Sequence, residues 1–207
     1  MKYKKTINKT EVLDFNEFYH VYNKAIGNEL LYKTENDYFF FLKKLERFLL
    51  PVVEIYTYCL LPNHFHLLIR TKDEQEIIQT QKIIEKENAE EVFHLAFKNL
   101  FISYSKSFNK NYKRIGRLFL QPYKRILVEE EEYILTLVNY IHRNPIHHGY
   151  IDDYSKWEYS SYNSCLSNKP TKINREAVLS FFYSKQDFIK FHEENKPKPG
   201  MEGYYLE

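Results

Sequence analysis

His64, Phe65 and His66 open the run HFHLLIRT, whose apolar and β-branched residues read as a strand. Successive side chains of a strand alternate, so both imidazoles leave by one face while Phe65 and Leu67 enter the other. Two imidazoles on a rigid support can clamp a divalent ion, although two partly exposed histidines on a sheet surface would show the same spacing. A second group closes a helix, TyrIleHisArgAsnPro at 140 to 145. Ile134, Leu137, Val138 and Ile141 form its buried stripe, and at 100° per residue Tyr140 and Asn144 share one flank of it. Taken singly, these two could be a tyrosine at a core edge and a helix-terminating asparagine. If the helix packs on the histidine face, His64, His66 and the Asn144 amide oxygen could hold an ion that keeps open positions and polarises a phosphodiester. Tyr140 would then be the nucleophile, its phenol (pKa about 10 when free) needing a proton acceptor or the field of the ion. Such an attack exchanges one phosphodiester for another, so the energy for rejoining is kept.

A third group is basic and aromatic. Lys106, Lys110, Lys113, Arg114, Arg117, Lys124 and Arg125 are interleaved with Tyr104, Tyr112, Phe119 and Tyr123. Cations neutralise phosphates and aromatic faces stack on unpaired bases, the combination that holds single strands, though a solvated helix face would look similar. Residues 101 to 150 carry eight Lys/Arg against four acids, whereas 51 to 100 carry five against eight, so the overall charge of +2 hides a basic middle.

Composition removes other chemistries. Five glycines never cluster, so neither a GxxxxGK phosphate loop nor a GxGxxG dinucleotide turn can be written. Cys59 and Cys165 are too few and too far apart for a zinc ribbon or a disulfide framework, and read as buried free thiols. No apolar run reaches the length of a membrane span, and MKYKKTINKT lacks a signal-peptide core, which predicts a cytoplasmic protein without membrane contact. Of the other histidines, His20 reads as structural, His94 and His192 sit on helices without evident partners, and His147 and His148 follow Pro145 in a loop.

The elements that must position these groups follow from periodicity over the 207 residues. Strands are predicted at 17–26, 52–61, 64–71 and 118–128, the second and third joined by a tight turn at Pro62-Asn63 and the last placed at an edge by Pro122. Helices are predicted at 35–50 and over most of 74–113, with a break near KENAEE at 86 to 91 and Gly116 as the stop. In that second helix Phe97, Leu100, Phe101, Tyr104 and Phe108 form the apolar face. A further helix runs from about Glu130 to Asn144, ended by Pro145, and two short ones lie within 174–194 before a loose tail from residue 195. The order β, α, β-β, α, β, α implies an α+β fold with helices on an antiparallel sheet.

Five blocks in this order, YHVYNKAI at 19, LPNHFHLLI at 61, FNKNYKRIGRLFLQPYKRILV at 108, YILTLVNYIHRNPIHHGYI at 133 and WEYSSYNS at 157, resemble the single-tyrosine HUH transposases, most closely the REP-associated tyrosine transposases. The resemblance spans roughly residues 17–165 and implies a ferredoxin-like HUH nuclease fold for a domain over 1–165; residues 166–207 carry no matching motif and read as a helical extension and loose tail. It implies His64, His66 and Asn144 around Mg or Mn, and Tyr140 forming a covalent 5′-phosphotyrosine with single-stranded or hairpin DNA. Tyr133 lies two helical turns, roughly 10 Å, from Tyr140, which predicts one nucleophile. The expected assembly is a monomer or homodimer. The alternatives are a nucleic-acid-binding module or regulator that keeps the fold without cleavage, and a structural metal protein, which an open two-histidine, one-amide set disfavours.

Overall fold

The two-residue link Pro62-Asn63 leaves the chain no room for a crossover, so the strands on either side of it must pair antiparallel. The computed structural model, which describes residues 8–81 and 89–195, has this hairpin at the heart of a four-stranded sheet. Strands β1 (Phe18–Lys24), β2 (Val53–Leu61), β3 (His64–Thr71) and β4 (Lys124–Leu127) lie in the order β2-β3-β1-β4, all neighbours antiparallel. Helix α1 (Glu35–Phe48) links β1 to β2, while α2 (Glu74–Gln81) and α3 (Ala89–Asn111) precede β4. The result is the βαββαβ pattern of a ferredoxin-like α+β fold.

One sheet face is apolar and buries Tyr19, Val21, Phe65 and Leu67 beneath α1 and α3. Phe65 fixes that packing, its ring centroid 5.2 Å from Phe41 of α1 and 6.2 Å from Phe101 of α3. The predicted apolar face of α3 is buried at Phe97, Leu100, Tyr104 and Phe108, with Phe101 packed against it. Helix α4 (Glu131–His147) covers the other face, packing on β2 and β3.

Several boundaries differ from expectation. Pro145 does not end α4, which runs on to His147. A proline removes one donor and crowds the preceding turn, yet Ile134 and the unbroken buried run from Leu137 to Pro145 hold the helix against the sheet, and tertiary packing outweighs the local penalty. Helix α3 stops at Asn111, before Lys113 takes a left-handed conformation (φ +50°), so Gly116 belongs to the following loop. β4 is shorter than predicted but does occupy a sheet edge. The break expected in KENAEE falls largely on residues 82–88, and the tail on 196–207, both outside the described residues.

The WEYSSY stretch, which falls in none of the predicted strands or helices, has a definite task. Along the outer side of β2, Leu60 N donates to Tyr159 O and Ser161 N to Tyr58 O, both at 2.9 Å, and Trp157 Nε1 donates to Leu60 O at 3.0 Å. The segment thereby satisfies an otherwise open sheet edge. It leads into α5 (Tyr162–Leu166), then α6 (Arg175–Ser180) and α7 (Lys185–Glu194), whose Val178 and Phe188 join the same buried cluster as the strands. His192 of α7 has partners after all: its Nδ1 donates to Phe188 O at 2.8 Å, its Nε2 accepts from His142 Nδ1 at 2.9 Å, and His142 Nε2 accepts from Ser161 Oγ at 2.8 Å. Among the described residues no helix is long and apolar enough to cross a membrane.

Candidate active site

Register places the polar groups before any side chain is considered. On β1 and β3, Lys24 stands opposite His64, Tyr22 opposite His66 and His20 opposite Leu68. Opposed residues of an antiparallel pair share a face, so His20, Tyr22, Lys24, His64 and His66 all project toward α4, as the alternation of HFH requires. Cys59 of β2 lies opposite His66 on the same face and is a buried free thiol, as expected.

Helix α4 brings Tyr140 onto this face. Its ring is edge-on to His66 (centroids 5.6 Å, planes 83°) and to His20 (6.2 Å, 81°). His64 stands perpendicular to His66 at 5.3 Å. One turn beyond Tyr140, fully buried Asn144 donates from Nδ2 to Tyr140 O at 3.3 Å, which turns Oδ1 away from its own helix. Its amide also acts on the His64 ring, favouring the protonated imidazole. The two motifs of the sequence therefore meet within one chain. Tyr140 is 3% exposed, His66 1% and His64 7%, so α4 covers the cluster.

Burial sets the electrostatics. Desolvation pushes His20 down to about 3 and His66 well below its ordinary value; His64 falls to about 3, chiefly by desolvation, with His148 adding to the effect and Asn144 opposing it. Neutral imidazoles are the form that ligates cations. Burial also pushes the Tyr22 phenol up to about 12. His66 Nε2 is buried without a hydrogen bond, and Asn144 Oδ1 has no partner but the His64 ring it faces, so a ring nitrogen and an amide oxygen beside His64 suit a cation. Among the described residues no group of three or more His, Cys, Asp or Glu is arranged to hold a metal, so an ion here would depend on the amide as well as the imidazoles. The residues present fit a hard divalent cation retaining water ligands better than a closed zinc site.

Sequence reading missed part of this cluster. The ring of His148 lies 4.6 Å from that of His64 and the ring of His147 5.7 Å from that of Tyr140; the continued helix takes in His147, while His148 caps it at the turn, as a loop residue. His20 Nε2 is hydrogen-bonded to His66 Nδ1 at 2.9 Å, and Tyr22 stacks on His66 at 5.4 Å. Strand parity carried the only signal for His20 and Tyr22, and that signal becomes usable once the β1–β3 register is known.

The cations divide between the two faces. Lys124 stands opposite Tyr22, on the tyrosine side, together with Lys24. Arg125 lies opposite Val21 on the other face. There a cleft of about 960 Å³ between α3 and residues 116–125 is lined by Lys106, Arg117 and Arg125 over Phe101, Phe119 and Tyr123. Lys106, Lys110, Lys113 and Arg117 are exposed. Arg114 is occupied within the fold: Nε donates to Glu29 Oε2 at 2.8 Å, and the guanidinium also donates to Asn109 Oδ1 and to Arg117 O. Three of the aromatics read as base-stacking are used internally, since covering the sheet demands them. Tyr104 and Phe119 are buried, and Tyr112 donates to Asp37 at 2.6 Å. Tyr123 stacks on Phe97 at 4.8 Å, with the Arg125 guanidinium 4.9 Å over its ring.

No protein-family profile matches this sequence. A curated Haemophilus influenzae protein provisionally named as a REP-associated tyrosine transposase is 25% identical over 108 residues, a stretch covering 51% of this chain and 56% of that protein's own length. A solved REP-associated tyrosine transposase bound to a REP hairpin superposes with a TM-score of 0.56 at 13% identity, over 83% of this chain and 90% of that one. The chain is thus similar in sequence to the first and shares the α+β fold of the second.

Proposed function

We propose that this protein is a single-tyrosine DNA strand transferase that cleaves and rejoins single-stranded, hairpin-forming DNA, with Tyr140 as nucleophile. The observation that carries the reading is the packing of Tyr140 edge-on over His66, with Asn144 one turn away. The named similarities, to a tyrosine transposase and to one solved with a hairpin, point to the same substrate class.

The chain's own groups divide the work. His64, His66 and Asn144 would hold Mg or Mn, which when bound would draw electron density from a phosphodiester as a Lewis acid and lower the cost of ionising the phenol. Tyr140 Oη attacks phosphorus as the bond to the 3′-oxygen breaks, giving a 5′-phosphotyrosine and a free 3′-hydroxyl. The phenol proton leaves as the leaving oxygen acquires one, so protons balance. Reversal by a 3′-hydroxyl restores the phenol and a phosphodiester, which needs no nucleotide triphosphate. His147, its ring 5.7 Å from that of Tyr140, would take the phenol proton: partial desolvation, Arg143 and His148 all lower its pKa, so it can accept near pH 7. Lys24 and Lys124 add positive charge on the reacting face. The cations of the opposite cleft would track the rest of the strand. Because α4 covers the cluster, a phosphate reaches Tyr140 only if the helix lifts from the sheet.

The test is a denaturing gel of labelled hairpin oligonucleotides incubated with the protein and Mn. A protein-linked DNA band that disappears in Tyr140→Phe supports the reading. No band from the native protein across a fair set of hairpins it demonstrably binds would favour a binding module without cleavage.

A further inference from the structure

The protein contains two buried histidine pairs, and they differ in one respect. In His142–His192 the proton positions are dictated by the backbone: Phe188 O can only accept, so His192 carries its proton on Nδ1 and receives from His142. In His20–His66 the nitrogens 2.9 Å apart are His20 Nε2 and His66 Nδ1, and the outer nitrogens, His20 Nδ1 and His66 Nε2, make no hydrogen bond among the described residues. No carbonyl or carboxylate fixes this pair. Either ring could donate to the other, and in each arrangement one outer N–H and one outer lone pair stay bare.

A cation on the site face removes that degeneracy. It requires a lone pair on His66 Nε2, which puts the His66 proton on Nδ1 and makes His20 Nε2 the acceptor. We infer that His20 is a positioning residue that, by accepting the Nδ1–H of His66, presents Nε2 to a divalent cation and fixes the plane of the ring. This rests on the reading of the cluster as a cation site. Geometry supports it further, because His20 reaches His66 diagonally across the β1–β3 pair, with rings nearly parallel (23°, centroids 5.2 Å), while Tyr22 stacks on His66 at 21°. His66 is thus confined by two rings and steered by one hydrogen bond, and its own Nε2 is left for a ligand.

The experiment uses the full chain without DNA. Calorimetric titration with MnCl2 of wild type, His20→Leu and His20→Gln separates the roles, since a glutamine amide oxygen can stand where Nε2 stood and leucine cannot. His20→Leu is expected to weaken Mn binding about 10- to 100-fold. His20→Gln is expected to stay within about threefold of wild type. Nitrogen-15 histidine NMR of the wild type with Mg gives a readout that needs no variant: the proton of His66 should reside on Nδ1. Wild-type affinity in His20→Leu, an equal loss in both variants with unchanged melting, or a His66 proton on Nε2 in the Mg-bound protein would each overturn the inference. A wild-type protein that binds no Mn brings down the cation site itself, and this inference with it.

Discussion

Tyr140 of α4 meets His66 of β3 edge to face, 5.6 Å between centroids, so that a phenol and an imidazole from separate elements bound a single small volume. An amide one helical turn on, Asn144, completes the boundary, and this arrangement makes the following outcomes measurable.

Replacing Tyr140 by Phe keeps the ring against His66 and removes only the oxygen. Covalent adduct should fall by at least about 10³-fold while hairpin affinity holds, and unfolding stability should change by no more than about 1 kcal/mol. Gel and urea titration on one preparation check both; an adduct persisting in the variant assigns the attack elsewhere.

Asn144→Ala deletes the amide oxygen and with it the contact to the His64 ring, as well as the Nδ2 bond to Tyr140 O. Mn affinity should drop on the order of tenfold, or about 1.4 kcal/mol. Melting should move little, because alanine's helix propensity offsets part of the lost packing. Unchanged Mn affinity would remove Asn144 from the ligand set.

Acid should loosen the Ser161–His142–His192 chain. Burial lowers His192 to about 4 despite its bond to Phe188 O, while the unfolded ring titrates near 6.5. Between those values the unfolded state binds the extra proton, so the stabilisation is complete above pH 6.5 and is lost as pH falls toward 4. For this ring alone the loss is on the order of 3 kcal/mol. Urea unfolding at pH 7, 5.5 and 4.5 should show the decline, with a shallower one in His192→Gln; equal slopes in both proteins would contradict it.

The basic residues should separate by role. Lys106→Ala and Arg117→Ala should each weaken hairpin binding and lower the slope of log affinity against log salt by about 0.7 to 0.9 per lost phosphate contact. Arg114→Ala should act mainly on stability, because Glu29 already takes its charge. A salt slope for Arg114→Ala as reduced as the others would place that guanidinium on DNA.

Hydrogen exchange tests how the covered site opens. Amides of residues 137–147 should lose protection when a hairpin substrate is added, because the helix must leave β2 and β3 to admit a phosphate. Undiminished protection under conditions that yield adduct would mean that DNA arrives by another route.

Period and parity made much of this legible in one dimension. HFH states its own face, the apolar spacing of α4 states that Tyr140 and Asn144 lie together, and Pro62-Asn63 states that β2 and β3 pair. These depend on neighbours a few residues away, and local geometry is nearly invariant. Tertiary structure alone decided that His20 reaches His66, that His148 sits beside His64, that α4 continues through Pro145, and that Arg114 and Tyr104 are consumed by the fold. Each of those depends on strand register or helix packing between distant segments, where buried contacts outweigh local preference and leave no mark in the spacing of residues.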